Sequence, residues 1–260
     1  MRGINGQCVN TDQANMPFTF SHPAIVLPLS YLPRRWFSLT GLVVGSVTPD
    51  FEYFLRMRIQ SDYSHTLKGL LWFDLPLGLL LAFVFHNIVR DMLFDNLPLA
   101  MKSRVVTFKQ FDWNSHFRRN WLAVVISILI GAGSHLLWDS FTHEHGYFVE
   151  MIPSLHTTVT LFVVQAPMYK LLQHFSTLIG GFVIVVAFMK LPVDRHIIKR
   201  VKTKYWIIFL TIIVMIITLR FFIGLDYRYY GHAIATAISA SLIALIVTPC
   251  LVRAEALLTR

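Results

Sequence analysis

The chain has 260 residues, of which 55% are hydrophobic and only 14% charged, too apolar for a soluble domain whose surface must be covered with charge. Its net charge of +9, from 23 Lys and Arg against 14 Asp and Glu, fits basic loops that face anionic lipid, and nucleic acid is not expected as a partner. Cys8 lies in a polar leader and Cys250 in an apolar run, so the two thiols give neither a disulfide framework nor a thiolate metal site.

Residues 1–15, "MRGINGQCVNTDQAN", lack the apolar core of a signal peptide and read as a disordered leader, with Met16 a candidate start. A single helical membrane domain is expected over 16–260. Its first apolar stretch, 23–48, is cut by Pro28, Pro33, Arg34 and Arg35. Two arginines at mid-bilayer would cost several kcal/mol, so a hairpin of two short helices turning at 32–35 is expected in place of a straight span.

A helix needs about 20 apolar residues to cross the hydrocarbon layer. Segments 66–89, 120–141, 205–223 and 232–251 meet that length. A fifth, 157–190, carries Pro167, Lys170, Gln173 and His174 before the run "LIGGFVIVVAF", which predicts a short first half, a break near 167–176 and a spanning second half. The fold class is therefore all-α, a polytopic membrane protein with about five spanning helices and an N-terminal helical hairpin.

Lys and Arg set the orientation. Loop 90–119 holds Arg90, Lys102, Arg104, Lys109, Arg118 and Arg119, and loop 190–204 holds Lys190, Arg195, Lys199, Arg200, Lys202 and Lys204. Both are expected inside. Loop 142–156 has no Lys or Arg and loop 224–231 has one, which places them on the extracytoplasmic side.

On that topology the ionisable residues converge. His65 stands at the extracytoplasmic mouth of the first full span and His135 with Asp139 at the corresponding end of the second, while a folded-back hairpin returns His22 and Asp50 to the same level. His135 and Asp139 are four residues apart and project from one helical face. Imidazoles with carboxylates suit zinc, and also manganese or iron, as one ion or a close pair. Each residue also has a plainer reading: single histidines anchor helices at membrane interfaces, and His143, Glu144 and His145 lie in a loop where water tolerates them. Glu52, Thr66, Ser134 and Trp138 are placed to orient ligands. Asp74, beside Pro76 in "LLWFDLPLG", reads as a packing or kink feature.

The segments "MPFTFSHPAIVLPL", "GSVTPDFEYFL", "SHTLKGLLWFDLPLG", "GSHLLWDSFTHEHGYF" and "PMYKLLQHFSTLIGG" resemble a family of bacterial integral membrane proteins of unassigned function that open with an MPFT-SHPA phrase. More distantly, the order His, PD, (T/S)H, SHxxxD is similar to the membrane-bound metal-dependent hydrolases and, more loosely, to the zinc-dependent phospholipase C group. That resemblance implies metal ligands at His22, Asp50, His65, His135 and Asp139. It departs from the hydrolases' PDxD and HRxxTHS phrases, since Phe51 and Glu52 follow Asp50, and "DYS" precedes His65. Residues 192–260 match neither pattern.

Two functions follow as expectations. One is a hydrolase of the bacterial inner membrane that cleaves a lipid-like ester or phosphoester at the extracytoplasmic leaflet, with Glu52 or His143 as general base and Lys170 and Gln173 on a phosphate headgroup. The other is a non-catalytic membrane protein: a metal or proton carrier, or a structural partner.

Overall fold

The computed structural model describes residues 19–33, 36–161, 164–196, 202–224 and 230–258. The leader and Arg34–Arg35 lie outside them. After a 3-10 turn at Thr19–Ser21 come α1 (Pro23–Val26), a second 3-10 turn at Leu27–Tyr31, α2 (Leu39–Val47) and α3 (Phe51–Arg56). Next is one continuous helix, a π turn at Leu70–Asp74, α4 (Leu75–Val84), a π turn at Phe85–Val89 and α5 (Arg90–Asn96). The chain continues through α6 (Leu99–Val105), α7 (Trp113–Thr142), α8 (Tyr147–Met151), the antiparallel strands β1 (Thr158–Leu161) and β2 (Val164–Pro167), α9 (Met168–Met189), α10 (Thr203–Gly224) and α11 (Tyr230–Leu258). Five helical stretches among the described residues, Leu70–Asn96, Trp113–Met151, Met168–Met189, Thr203–Gly224 and Tyr230–Leu258, are long and apolar enough to cross a membrane.

Two expectations change. The first arm of the N-terminal hairpin is a four-residue α-turn that runs into a 3-10 turn, because Pro28 denies the helix an N–H. Thr158–Leu161 and Val164–Pro167 pair as antiparallel strands, with Thr158 opposite Pro167, and α9 then runs unbroken from Met168. The β-branched run "TTVT" favours the pleated form, and Pro167 starts α9 at its N-cap instead of interrupting it.

Packing centres on α2 against α7. In lipid, helices gain little from burying apolar surface against each other, so backbones must approach closely through small residues. A Cβ on Gly45 would lie 2.2 Å from the Ile128 carbonyl oxygen, and one on Gly131 would lie 2.4 Å from that of Leu42. The Ser38 N–H donates to Ser127 Oγ (2.8 Å) across the same seam, while the Ser38 hydroxyl caps α2 by accepting from Gly41. Below it Ala82, Trp113, Val124 and Ile128 form the buried core, with Leu75, Leu79, Phe83 and Phe117 packed around them.

α11 supports α3 from the side. Ser239 Oγ donates to the Phe54 carbonyl (2.6 Å) and Thr236 Oγ1 to that of Met57 (3.2 Å), where α3 ends in the left-handed turn at Met57 (φ 51°). At the opposite end of the bundle, buried Arg90 donates to the carbonyls of Phe111 (2.6 Å) and Lys109 (3.2 Å).

Gly45→Ala is expected to lower unfolding stability in detergent by about 1–3 kcal/mol, the range for overpacked sites. Gly133→Ala, on the same helix system but with open space around its Cβ position, is the control and is expected to leave the transition unchanged.

Candidate metal centre

The seam between α2 and α7 fixes the first pair of groups. His135, fully buried on α7, places Nδ1 2.8 Å from the Ser46 carbonyl oxygen of α2. A carbonyl only accepts, so Nδ1 carries the proton and Nε2 presents a lone pair. The chain leaves α2 through the 3-10 turn Thr48–Asp50, and that turn swings Asp50 beneath His135: Asp50 Oδ1 lies 3.4 Å from His135 Nε2. One helical turn beyond His135, Asp139 Oδ2 stands 3.2 Å from the same nitrogen.

His65 arrives on the loop between α3 and the π turn. Its Nε2 is 3.4 Å from Asp50 Oδ1 and 3.7 Å from Asp139 Oδ2. Ligand atoms of Asp50, His65, His135 and Asp139 all lie within 4.8 Å of one another. Atoms that share a tetrahedral ion at bonds of about 2.1 Å are about 3.4 Å apart, whereas an N–H···O bond runs to about 3.2 Å. Three of the four separations, at 3.4–3.7 Å, exceed that limit and suit a site that could hold a shared cation, and the His135–Asp139 pair, at 3.2 Å, lies at it. Asp50 Oδ1 and Oδ2, His65 Nε2, His135 Nε2 and Asp139 Oδ1 are all buried without a hydrogen-bond partner, which is costly unless something else satisfies them. The donor set fits a divalent ion.

The fifth residue expected as a ligand takes a different place. His22 lies at the start of α1, where Gly180 of α9 lets Ser21 approach to within 2.9 Å of its Cβ position. Its ring stacks on His135 at 3.9 Å, and its Nε2 faces the other oxygen of Asp139, Oδ1, at 3.7 Å. It sits beside the four-residue group, outside it. His143 faces that same Oδ1, with Nδ1 at 3.6 Å, and Gln173 of α9 meets its Nε2 at 3.3 Å.

Glu52 does not have the surroundings of a general base. Its buried carboxylate accepts from Arg56 Nε (2.9 Å) and Nη2 (2.7 Å), from the backbone N–H groups of Asp62 (3.0 Å), Tyr63 (3.0 Å) and Ser64 (2.9 Å), and from Ser61 Oγ (3.2 Å). Burial pushes the carboxyl up, but the Asp62, Ser64 and Tyr63 N–H groups and Arg56 outweigh it and hold it at about 2. Six donors leave no lone pair for a proton in transit.

Of the other sequence candidates, Lys170 is half-buried one turn before Gln173 on α9. Trp138 Nε1 donates to Ser176 Oγ (3.2 Å) and ties α7 to α9, Ser134 bonds back to Gly131, and Thr66 closes the loop after His65. His145 is exposed near Glu150. Asp74 is fully buried with both oxygens unpartnered, at the end of a π turn that precedes Pro76. Ser61 and Ser64, whose hydroxyls stand 2.9 and 3.0 Å from His65 Nδ1, escaped the sequence reading, although their spacing in "SDYSH" is visible there.

A family model described as a domain of unknown function, DUF4184, matches residues 16–250. The chain belongs to this family. The match takes in all four residues of the group and every membrane-length helix in whole or large part. Comparison with curated proteins and with solved structures gives no match.

His135→Ala is expected to abolish stoichiometric zinc binding, measured by elemental analysis of the detergent-purified protein. His22→Ala is expected to retain the ion with affinity reduced by about 10–100-fold, the range for a residue that supports ligands without being one.

Proposed function

We propose that the protein is a membrane-embedded, metal-dependent hydrolase of a lipid-like ester or phosphoester. The observation that carries this reading is the pair of imidazoles, half-buried His65 and fully buried His135, whose buried Nε2 atoms face the carboxylates of Asp50 and Asp139 at 3.2–3.7 Å with no hydrogen bond between them. Asp50, His65, His135 and Asp139 would hold a divalent ion there, with zinc the first choice and manganese or iron the alternatives, which would supply Lewis-acid activation of a water, with its pKa lowered to about 7, and of a carbonyl or phosphoryl oxygen.

The chain's own groups would do the rest. His143 is half-exposed beside Asp139 with Nδ1 3.2 Å from the Asp139 backbone carbonyl, so it would accept a proton at Nε2, the nitrogen that Gln173 must then vacate. Gln173 holds its far ring nitrogen and so orients the imidazole, a different role from contact with substrate. Lys170, one turn away, supplies positive charge for a phosphate headgroup. The partner is then membrane lipid. The Lys and Arg distribution supports a bacterial inner-membrane protein whose site faces the extracytoplasmic side, and the distant hydrolase-like order of His, PD, SH and SHxxxD phrases agrees with the chemistry.

Asp74 favours a second reading, an ion or proton carrier. A carboxylate that is fully buried within a membrane-length helix and has no partner is costly unless it serves a function, and it lies outside the four-residue group.

With zinc loaded and mixed bacterial phospholipids supplied, the wild-type protein is expected to release a cleavage product detected by mass spectrometry. His143→Ala is expected to retain zinc and lose about 10²–10⁴-fold in rate, the contribution of a positioned acid or base. Zinc bound at full stoichiometry with no product from any lipid class would favour the carrier.

A further inference from the structure

Hydrogen-bond direction can be followed from Glu52 to the metal group. A carboxylate accepts and does not donate, so Ser61, 3.2 Å from Glu52 Oε2, spends its single hydroxyl proton there. Toward His65 Nδ1, 2.9 Å away, Ser61 Oγ is then left only as an acceptor. Ser64 Oγ lies 2.9 Å from Ser61 Oγ and 3.0 Å from the same Nδ1. Donation from Ser64 to Ser61, with Nδ1–H shared between the two oxygens, satisfies every atom. Donation from Ser64 to Nδ1 would leave the Ser61 oxygen against a bare ring lone pair.

We infer that Glu52 is a positioning residue for the metal group: acting through Ser61 and Ser64, it keeps the His65 proton on Nδ1 and turns the Nε2 lone pair toward Asp50 and Asp139. This rests on the metal reading above. The same carboxylate fixes the loop itself, because the N–H groups of Asp62, Tyr63 and Ser64 converge on it and so set where His65 emerges. The left-handed turn at Met57 reverses the chain after α3, and the Arg58 N–H bonds back to the Tyr53 carbonyl (3.1 Å), which brings the loop over Glu52. His135 has its proton placed by the Ser46 carbonyl; His65, on a loop, needs a built equivalent.

Glu52→Gln replaces acceptor sites with an NH₂ donor facing backbone N–H groups, and it is prone to misfold. The decisive variant is Ser61→Ala with Ser64→Ala, which leaves the Arg56 and backbone bonds to Glu52 in place. Three quantities are read on the detergent-solubilised full chain: the His65 ring ¹⁵N shifts of the metal-free protein, the zinc dissociation constant by competition with a chromophoric chelator, and the thermal midpoint without metal. Wild-type His65 is expected as the Nδ1–H form. The double variant is expected to lose that form and to bind zinc about 10–100-fold more weakly at an unchanged midpoint. Ser61→Thr with Ser64→Ala, which restores one hydroxyl, is expected to recover most of the affinity. An Nδ1–H signal and a dissociation constant both unaltered in the double variant would overturn the inference. If the wild type bound no zinc, the metal reading would fall by itself. The ring shifts would then decide this one: an Nδ1–H signal lost in the double variant supports it, and one retained, or absent from the wild type, overturns it.

Discussion

The close approach of α2 to α7 is the constraint from which the rest of the structure follows. Gly41, Gly45 and Gly131 remove the side chains that would hold the two backbones apart. That proximity lets the Ser46 carbonyl reach His135 Nδ1 and orient the ring, and it delivers Asp50 to the face of α7 that carries Asp139. A membrane interior offers little hydrophobic drive between helices, so a seam of small residues and short hydrogen bonds is the available way to hold such a geometry. The site is thereby built on rigid elements on one side and on a clamped loop, that of His65, on the other.

Electrostatics then decides what the arrangement is for. Two carboxylates and two imidazoles brought together with most of their facing atoms unpartnered would destabilise the fold if left so. A shared cation would satisfy the unpartnered atoms of Asp50, His65 and His135 together. It does not account for Asp74, a buried carboxylate without a hydrogen-bond partner that the four-residue group leaves out. The far oxygen of Asp139, flanked by His22 and His143, marks where the group opens toward more exposed residues.

Much of this was legible before any coordinates. Hydropathy located all five membrane-length helices because the bilayer imposes a minimum apolar length. The HisxxxD spacing of His135 and Asp139 announced a shared helical face, and the topology brought Asp50 and His65 to the same level. What the sequence hid has physical causes. The strands Thr158–Leu161 and Val164–Pro167 are too short to show a clear alternation beside the apolar run of α9, and Pro167 looked like a helix break when it is a helix start. Glu52 read both as a ligand-orienting neighbour and as a general base; what commits it depends on three N–H groups ten or more residues away and on the left-handed turn at Met57, neither of which has a local signature. His22 was expected in the ligand group because it shares the depth, but which oxygen of Asp139 it faces depends on Gly180 of α9 admitting Ser21.

X-ray absorption at the zinc edge of the metal-loaded protein tests the central claim most directly, because it reports the ligand atoms themselves. The account predicts two imidazole nitrogens and carboxylate oxygens in a shell of low coordination number at about 2.0–2.1 Å. A spectrum with no imidazole scattering, or that of a fully hydrated ion, would mean that α2, α7 and the His65 loop do not meet around a cation.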